Sequence, residues 1–290
     1  MSGRLRVLAS GPQTLIQDRG RPGLAHLGVG SSGAFDRAAA ALGNRLVGNA
    51  PRAAVLEVLL GGLRIAFDAD AWVAVTGAWG PVVADSTVVE PHTPTSIPAG
   101  SLLELAPAEH GIRCYLAVRG GIVAPETLGS RSRDVLAAIG PPPLAAGDRL
   151  LVGSDISGPV PAVDVVPVDP PPVGPVTLAI RPGPRQAWFL EDSWRRMLES
   201  AWTTSARSDR TGIRLEGPRL VRTEHSELPS EGMIPGAIQV SPDGAPTILG
   251  IDAPVTGGYP VIAVVTDQSF DALAQLRPGQ PVRFTLATGH

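Results

Sequence analysis

Val7-Leu8-Ala9-Ser10-Gly11-Pro12-Gln13 and Ala179-Ile180-Arg181-Pro182-Gly183-Pro184 share one pattern, a short strand-type apolar run that ends in Gly-Pro. Such a step stops a strand, because proline lacks the N–H a ladder needs and glycine admits a sharp turn. Each copy is followed by one segment of helical spacing. Each half also closes alike, with Leu144-Ala145-Ala146-Gly147-Asp148-Arg149-Leu150 echoed by Leu276-Arg277-Pro278-Gly279-Gln280-Pro281-Val282. Between them, Ser157 through Pro175 is too rich in proline for a central strand or a helix interior. The arrangement predicts two related β-rich domains, residues 1–156 and 176–290, joined by a linker at 157–175.

Further out, the apolar runs Leu5–Ala9, Leu63–Phe67, Trp72–Thr76, Leu102–Ala106 and Tyr115–Val118 are punctuated by 34 glycines and 30 prolines. Short strands with frequent turn signals predict barrels or sandwiches. Two helices are expected. The first spans about Ala34–Leu46, with Ser31 or Ser32 as N-cap and Ala38, Leu42 and Leu46 on its apolar face. The second spans about Trp188–Ser200, with Leu190, Trp194, Met197 and Leu198 as its stripe.

All 24 basic residues among the 290 are arginines. A Schiff-base lysine, a Walker A lysine and a biotinylated lysine are therefore impossible here. Any anion must be held by arginine forks and backbone N–H groups. A net charge of −3 and a pI near 6.0 give no bulk attraction to nucleic acid or to anionic membrane. No apolar run approaches the length of a membrane span, so a soluble, cytoplasmic protein is expected. Cys114 is the single cysteine, which excludes a disulfide framework and a thiolate cluster; in its strand-like run it reads as a small buried hydrophobe.

Several polar groups stand out against this background. Gln17-Asp18-Arg19-Gly20-Arg21 precedes Gly30, Ser31, Ser32, Gly33 and Asp36, a set suited either to an anion site or to a tight internally paired loop. Glu57 lies in the apolar run Ala53–Leu60 and must point outward or be paired. Asn49 and Gly48 read as a helix C-terminal cap. Arg131 in Gly129-Ser130-Arg131-Ser132, and Ser208 and Arg210 in Ser208-Asp209-Arg210-Thr211-Gly212, sit on glycine-loosened loops. In Ser230 through Pro260, Glu231, Gln239, Asp252, Thr256 and Tyr259 supply donors and acceptors, while Gly257-Gly258 exposes bare backbone.

Seven clusters in order carry a resemblance: Gln17-Asp18-x-Gly20-Arg21, Ser32-Gly33-Ala34-x-Asp36, Asn44-x-Leu46-Val47-Gly48-Asn49, Gly129-Ser130-Arg131-Ser132, Ser208-Asp209-Arg210-x-Gly212-x-Arg214-Leu215, Ser230-Glu231-Gly232 with Gly236-Ala237-Ile238-Gln239, and Thr256-Gly257-Gly258-Tyr259-Pro260. The chain resembles the family of C-type 5-oxoprolinase subunits, also called allophanate hydrolase subunit 2, of carboxyltransferase-like proteins. That resemblance implies a mainly β fold of two tandem cyclophilin-like barrels, each with one principal helix. It implies a B-type protein partner from the same enzyme, with a third A-type or biotin-carrying component.

Relatives of this kind open 5-oxoproline to glutamate with ATP and a divalent ion such as Mg, serve as the carboxyltransferase part of a urea carboxylase, or belong to a sporulation antikinase system. Three readings follow: part of an ATP-dependent 5-oxoprolinase, a carboxyltransferase acting on urea or another small amide with biotin on another chain, and a non-catalytic binding module. By residue type and family position, Asp18, Glu231, Asp252 and Tyr259 are the candidate catalytic groups. Gln17, Arg21, Ser32, Asp36, Arg131, Ser208, Arg210, Gln239, Thr256, Gly257 and Gly258 are the candidate substrate or anion contacts. The metal ligands stay open. Gln17–Arg21 and Ser32–Asp36 are expected to face Ser230–Pro260 across one pocket. The chain departs from the family pattern at Ala253-Pro254-Val255 and at Gly140-Pro141-Pro142-Pro143.

Overall fold

The structure, a computed structural model, describes residues 3–162 and 166–287. The middle of the expected linker, 163–165, lies outside them. The chain divides into two compact units, one of residues 1–21, 32–134 and 138–171, the other of 22–31, 135–137 and 172–290. Two short segments of the first half thus group with the second unit.

The first unit contains β1 (Arg4–Ser10), β2 (Gln13–Gln17), α1 (Arg37–Leu46), β3 (Val55–Leu59), β4 (Leu63–Phe67), β5 (Ala71–Trp79), β6 (Val82–Ala84), β7 (Thr87–Val88), β8 (Thr95–Ile97), β9 (Leu102–Leu105), β10 (His110–Val118), β11 (Ile122–Val123) and β12 (Arg149–Val152). They form a seven-stranded sheet, β11-β12-β1-β4-β9-β6-β7, and a five-stranded sheet, β2-β3-β10-β5-β8. The first Gly-Pro step is where the chain changes sheet. β1 passes into β2 at Gly11 (φ 62°), and β3 passes into β4 at Gly61 and Gly62, both in the left-handed region. A Cβ on Gly11 would lie 2.1 Å from the Gly61 carbonyl oxygen, so the two corners meet backbone to backbone. Leu5, Val7, Ile65, Phe67 and Leu103 from one sheet pack in one buried cluster with Ile16, Leu56, Val58, Val75 and Leu116 from the other.

The α1 helix lies on β5 and β10. Its N-cap is Asp36, whose side chain accepts from the Ala39 N–H at 2.9 Å. Neither expected serine caps it: Ser32 stands at φ 50° and donates to the Arg133 carbonyl. The buried face is Ala39, Ala40, Gly43, Asn44 and Leu46, with Leu42 partly buried against the same cluster, so of the expected stripe Leu42 and Leu46 face the core and Ala38 is exposed. Gly43 permits close approach to the sheet, since a Cβ on it would come within 3.2 Å of Ala117 Cβ and Thr76 Oγ1. The helix ends as expected. Gly48 is left-handed at φ 66°, and Asn49 donates to Asn44 Oδ1 (3.0 Å) and the Val118 carbonyl (2.9 Å).

The second unit contains β13 (Val176–Pro182), α2 (Glu191–Glu199), β14 (Trp202–Thr204), β15 (Gly212–Glu216), β16 (Glu231–Gly232), β17 (Ala237–Val240), β18 (Pro246–Leu249), β19 (Thr256–Gly257), β20 (Val261–Val265), α3 (Asp267–Leu273) and β21 (Pro281–Leu286). Seven of these strands close into a barrel, β13-β20-β17-β18-β15-β14-β21, while β16 and β19 form a separate ribbon. Leu178, Ile180, Ile213, Leu215, Ile238, Val240, Val282 and Phe284, alternate residues along their strands, are buried, as a side-chain-filled barrel requires. The echo between halves is partial. The closing strand pairs with the opening strand in both, antiparallel as β12 on β1 but parallel as β21 on β13.

Two α-helices, not one, accompany this barrel, because α3 follows β20 directly. The α2 helix starts three residues later than the stripe from Trp188 implies. Phe189 is extended and bridges to Arg222, which separates the 3-10 turn Gln186–Trp188 from the helix and leaves Leu190 43% exposed. Among the described residues no helix is long and apolar enough to cross a membrane.

Cys114 is buried on β10, and burial pushes its thiol up to about 12. Since only the thiolate is nucleophilic, the folded protein at pH 8 is expected to resist a thiol reagent and to take up one equivalent in denaturant. Rapid labelling of the native chain would contradict this placement.

Candidate functional site

In the first unit the predicted loop residues do come together, and they chiefly bind one another. Asp18 Oδ1 accepts from the hydroxyls of Ser130 (2.6 Å) and Ser132 (2.5 Å) and from the Gly20 N–H (2.8 Å); Oδ2 accepts from the Arg131 N–H (2.7 Å). The Asp18 carbonyl accepts from the Ala34 N–H at 2.9 Å, and Gly33 (φ 105°) lies so close that a Cβ there would fall 2.9 Å from the Gly20 nitrogen. The loops around 18–21 and 130–132 are thereby locked on the Asp18 carboxylate, and the loop around 32–34 on its main-chain carbonyl.

Arg21 is 2% exposed and donates to the carbonyls of Thr127 (3.3 Å) and Ser132. Arg131 spans Glu126 (3.0 Å) and Asp155 (3.5 Å). Gln17 is fully buried, its amide donating to the Arg133 carbonyl at 2.8 Å, while its Oε1 has no hydrogen-bond partner. Asp36 is spent on the helix cap. Behind it stands a buried network in which Glu57 Oε2 accepts from the Tyr115 hydroxyl (2.9 Å) and the Phe35 N–H (3.0 Å). The Tyr115 oxygen in turn accepts from the Asp36 N–H at 2.7 Å. Arg113 sits 3.6 Å from Glu57 Oε1 and 4.9 Å over the Phe35 ring. Glu57 is therefore paired, not turned outward. Burial and the Glu57 charge push the Tyr115 hydroxyl well above its ordinary value.

In the second unit Arg210, a candidate anion contact, and Asp252, a candidate catalytic group, bind each other. Arg210 donates to Asp252 through Nε (2.8 Å) and Nη2 (3.0 Å), a two-point fork whose side chains are 2% and 0% exposed. Asp252 Oδ2 also accepts from the Val135 N–H at 3.0 Å. A carboxylate enclosed in this way holds the chain together and is not presented to solvent. Ser208 closes a turn, accepting from the Arg214 N–H at 3.0 Å.

The ribbon is different in character. Glu231 pairs with Gly257, and Gly232 with Thr256. Glu231 forms an ion pair with Arg185, whose guanidinium stacks 5.0 Å over the Trp188 ring. Gln239 Nε2 reaches Met233 Sδ at 3.2 Å and the Tyr259 carbonyl at 3.4 Å, and a Cβ on Gly257 would fall 2.6 Å from that same amide. Thr256, Gly258 and Tyr259 are exposed, Tyr259 by 47%. Arg185, Glu231 and the backbone of Gly257 are thus brought together from three separate parts of the sequence, with the exposed Tyr259 two residues beyond Gly257.

A family model described as carboxyltransferase domain, subdomain A and B, matches residues 27–286. The chain belongs to this family. Over 283 residues it is 38% identical to the C-type 5-oxoprolinase subunit of Escherichia coli (strain K12), a match that covers 97% of this chain and 90% of the relative. Identity is also 38% with the corresponding C-type 5-oxoprolinase subunit of Haemophilus influenzae, over 93% of this chain and 86% of that one. The crystal structure of the K. lactis urea amidolyase matches at a TM-score of 0.90 and 28% identity, covering 98% of this chain and 19% of that protein. The chain thus spans about a fifth of that structure's length. The motif clusters of this carboxyltransferase family member fall in separate units: Gln17–Arg21 and Ser32–Asp36 belong to the first, Glu231–Tyr259 to the second.

Two members of the accessible surface, Arg185 and Trp188, were not among the sequence candidates. Their signal was present in Gly183-Pro184-Arg185, where a strand ends in a Gly-Pro turn that carries a cation. Its partner Glu231 lies 46 residues away in sequence. Among the described residues no three His, Cys, Asp or Glu side chains gather as metal ligands do. The oxygens of Asp18 and Asp252 are occupied by internal donors, and Arg21, Arg131 and Arg210 are committed to internal partners. These residues do not fit a Mg–ATP cradle held by this chain alone.

Proposed function

We propose that this chain is the C-type component of an ATP-dependent 5-oxoprolinase, which opens the lactam of 5-oxoproline to glutamate together with a B-type partner and a third component. The observation that carries the reading is the end-to-end 38% identity with two proteins named as C-type 5-oxoprolinase subunits. The internal commitment of the buried arginines supports a division of labour, in which nucleotide and divalent ion are held with partner residues and this chain contributes the ribbon surface around Glu231 and Tyr259. By itself the chain is then inactive. The protein works in the cytoplasm, where its small-molecule substrate is met.

A carboxyltransferase acting on urea is the second reading, favoured by the fold shared with the K. lactis urea amidolyase. With no lysine in this chain, the biotin would arrive on another protein. Co-purification with a B-type partner, followed by ATP-coupled assays on 5-oxoproline, urea and allophanate, separates the two. Glutamate formed only with ATP supports the first. Carboxylation of urea by a biotin-charged carrier, without glutamate, overturns it in favour of the second. Tight partner binding with no turnover of any substrate would point to a binding module.

A further inference from the structure

The guanidinium of Arg185 is held and still open. Its contact with Glu231 is side-on, with Nε 3.4 Å from Oε2 and Nη2 on Oε1. A guanidinium has two edges that can each take a carboxylate through parallel N–H bonds, and Nη1 with the outer N–H of Nη2 form the second. Among the described residues nothing bonds that second edge. The Trp188 ring lies 5.0 Å from the central carbon of the guanidinium, and together with the Glu231 pair this restrains the group before any ligand arrives. The Arg185 side chain is 32% exposed and that of Glu231 29%, whereas Arg21 and Arg210 are each only 2% exposed.

The backbone that carries Arg185 and its partner is fixed in place. The Arg185 N–H donates to the Val261 carbonyl at 3.1 Å, which pins this turn to the start of β20, next to Pro260. Gly257 stands opposite Glu231 in the ribbon, and at Gly258 a Cβ would find only the Leu228 carbonyl, at 3.6 Å. Opposite and just beyond Glu231 in the ribbon, the chain therefore carries no side chain at two successive positions, and the exposed Tyr259 follows them.

We propose that the open edge of Arg185 binds the carboxylate of the small-molecule substrate, so that this residue selects a lactam acid over an uncharged amide. The assignment rests on the 5-oxoprolinase reading and deepens it. Glu231 and Trp188 act through Arg185 as positioning residues. Urea carries no carboxylate and gains nothing from this edge.

The test uses the assembled complex with Arg185→Ala or Arg185→Gln, assayed on 5-oxoproline and on 2-pyrrolidinone, the same lactam without its carboxylate. A charge-assisted pair lost from substrate binding should raise KM for 5-oxoproline roughly tenfold to a hundredfold, with kcat nearly unchanged. Preference for 5-oxoproline over 2-pyrrolidinone should shrink by the same factor. An unchanged KM in a variant complex that assembles overturns the assignment while leaving the proposed activity in place. Should the wild-type complex turn over no 5-oxoproline, the activity fails and calorimetric titration with the two lactams decides the assignment by itself. Tighter binding of 5-oxoproline that is lost in Arg185→Ala supports it, and equal binding of both lactams overturns it.

Discussion

Asp252→Asn is expected to lower the thermal midpoint of the second unit by roughly 10 °C, because it leaves the enclosed Arg210 guanidinium without its counter-charge. Removing one partner of a buried ion pair costs about 3–5 kcal/mol, and a domain of this size loses about 2–4 °C per kcal/mol. The fork is fully enclosed, at 2% and 0% exposure, so solvent cannot take the place of the lost carboxylate. The double substitution Arg210→Met with Asp252→Leu should recover most of the loss, since two apolar side chains of similar size leave no charge buried. Circular dichroism melts of the wild type and the two variants read this directly. A catalytic carboxylate would behave otherwise, with Asp252→Asn abolishing turnover at an unchanged midpoint.

Glu57→Gln should have a comparable effect in the first unit. Glu57 faces Arg113 at 3.6 Å and accepts from Tyr115 and from the Phe35 N–H. An amide removes the charge opposite Arg113, and if its oxygen stays on Tyr115 and Phe35 its NH2 is turned against the guanidinium, donor against donor. The disturbance should spread to the start of α1, because the Asp36 N–H is bonded to the same Tyr115 hydroxyl. Faster amide exchange at Phe35 and Asp36, with a lowered midpoint, is the expected signature; an unchanged exchange pattern would show that the network does not hold this segment. Tyr115→Phe should cost less, about 1–3 kcal/mol, as one neutral group is removed. It also alters the alkaline limb. The Tyr115 hydroxyl is raised in the folded state by burial and by Glu57, so its contribution is complete below the unfolded value near pH 10 and falls away above it.

The strand–Gly–Pro pattern at Gly11 and Gly183 marked true strand ends, because proline has no N–H to give to a ladder and neither glycine leaves room for a side chain: Gly11 stands at φ 62°, and a Cβ on Gly183 would fall 2.5 Å from the Val261 carbonyl oxygen. The cap at Gly48 and Asn49 was legible for the same reason. The helix faces were less so. Spacing placed Ala38, Leu42 and Leu46 inward, and Leu42 and Leu46 do pack on the core, but Ala38 is exposed, and Gly43 lets α1 approach β5 and β10 so closely that Ala39, Ala40 and Asn44 are buried as well. The chemistry was harder still. Residue type singled out Asp18, Arg210 and Asp252, and the partners they bind lie 112–114 and 42 residues away, at separations on which periodicity carries no information. A polar residue in an apolar run signals that a partner exists without saying whether it is a ligand or another side chain. Arg185 shows the converse, as a surface arginine that composition made ordinary and geometry made distinctive.

ATP-driven opening of a lactam acid is the activity proposed for this carboxyltransferase family member. The most direct measurement is glutamate release from 5-oxoproline by the reconstituted complex, followed together with ATP consumption, with and without this chain. Glutamate that appears in step with ATP consumption only when the chain is present is the predicted result. A complete, assembled complex that consumes ATP without releasing glutamate, or releases it equally well without this chain, would contradict the proposal.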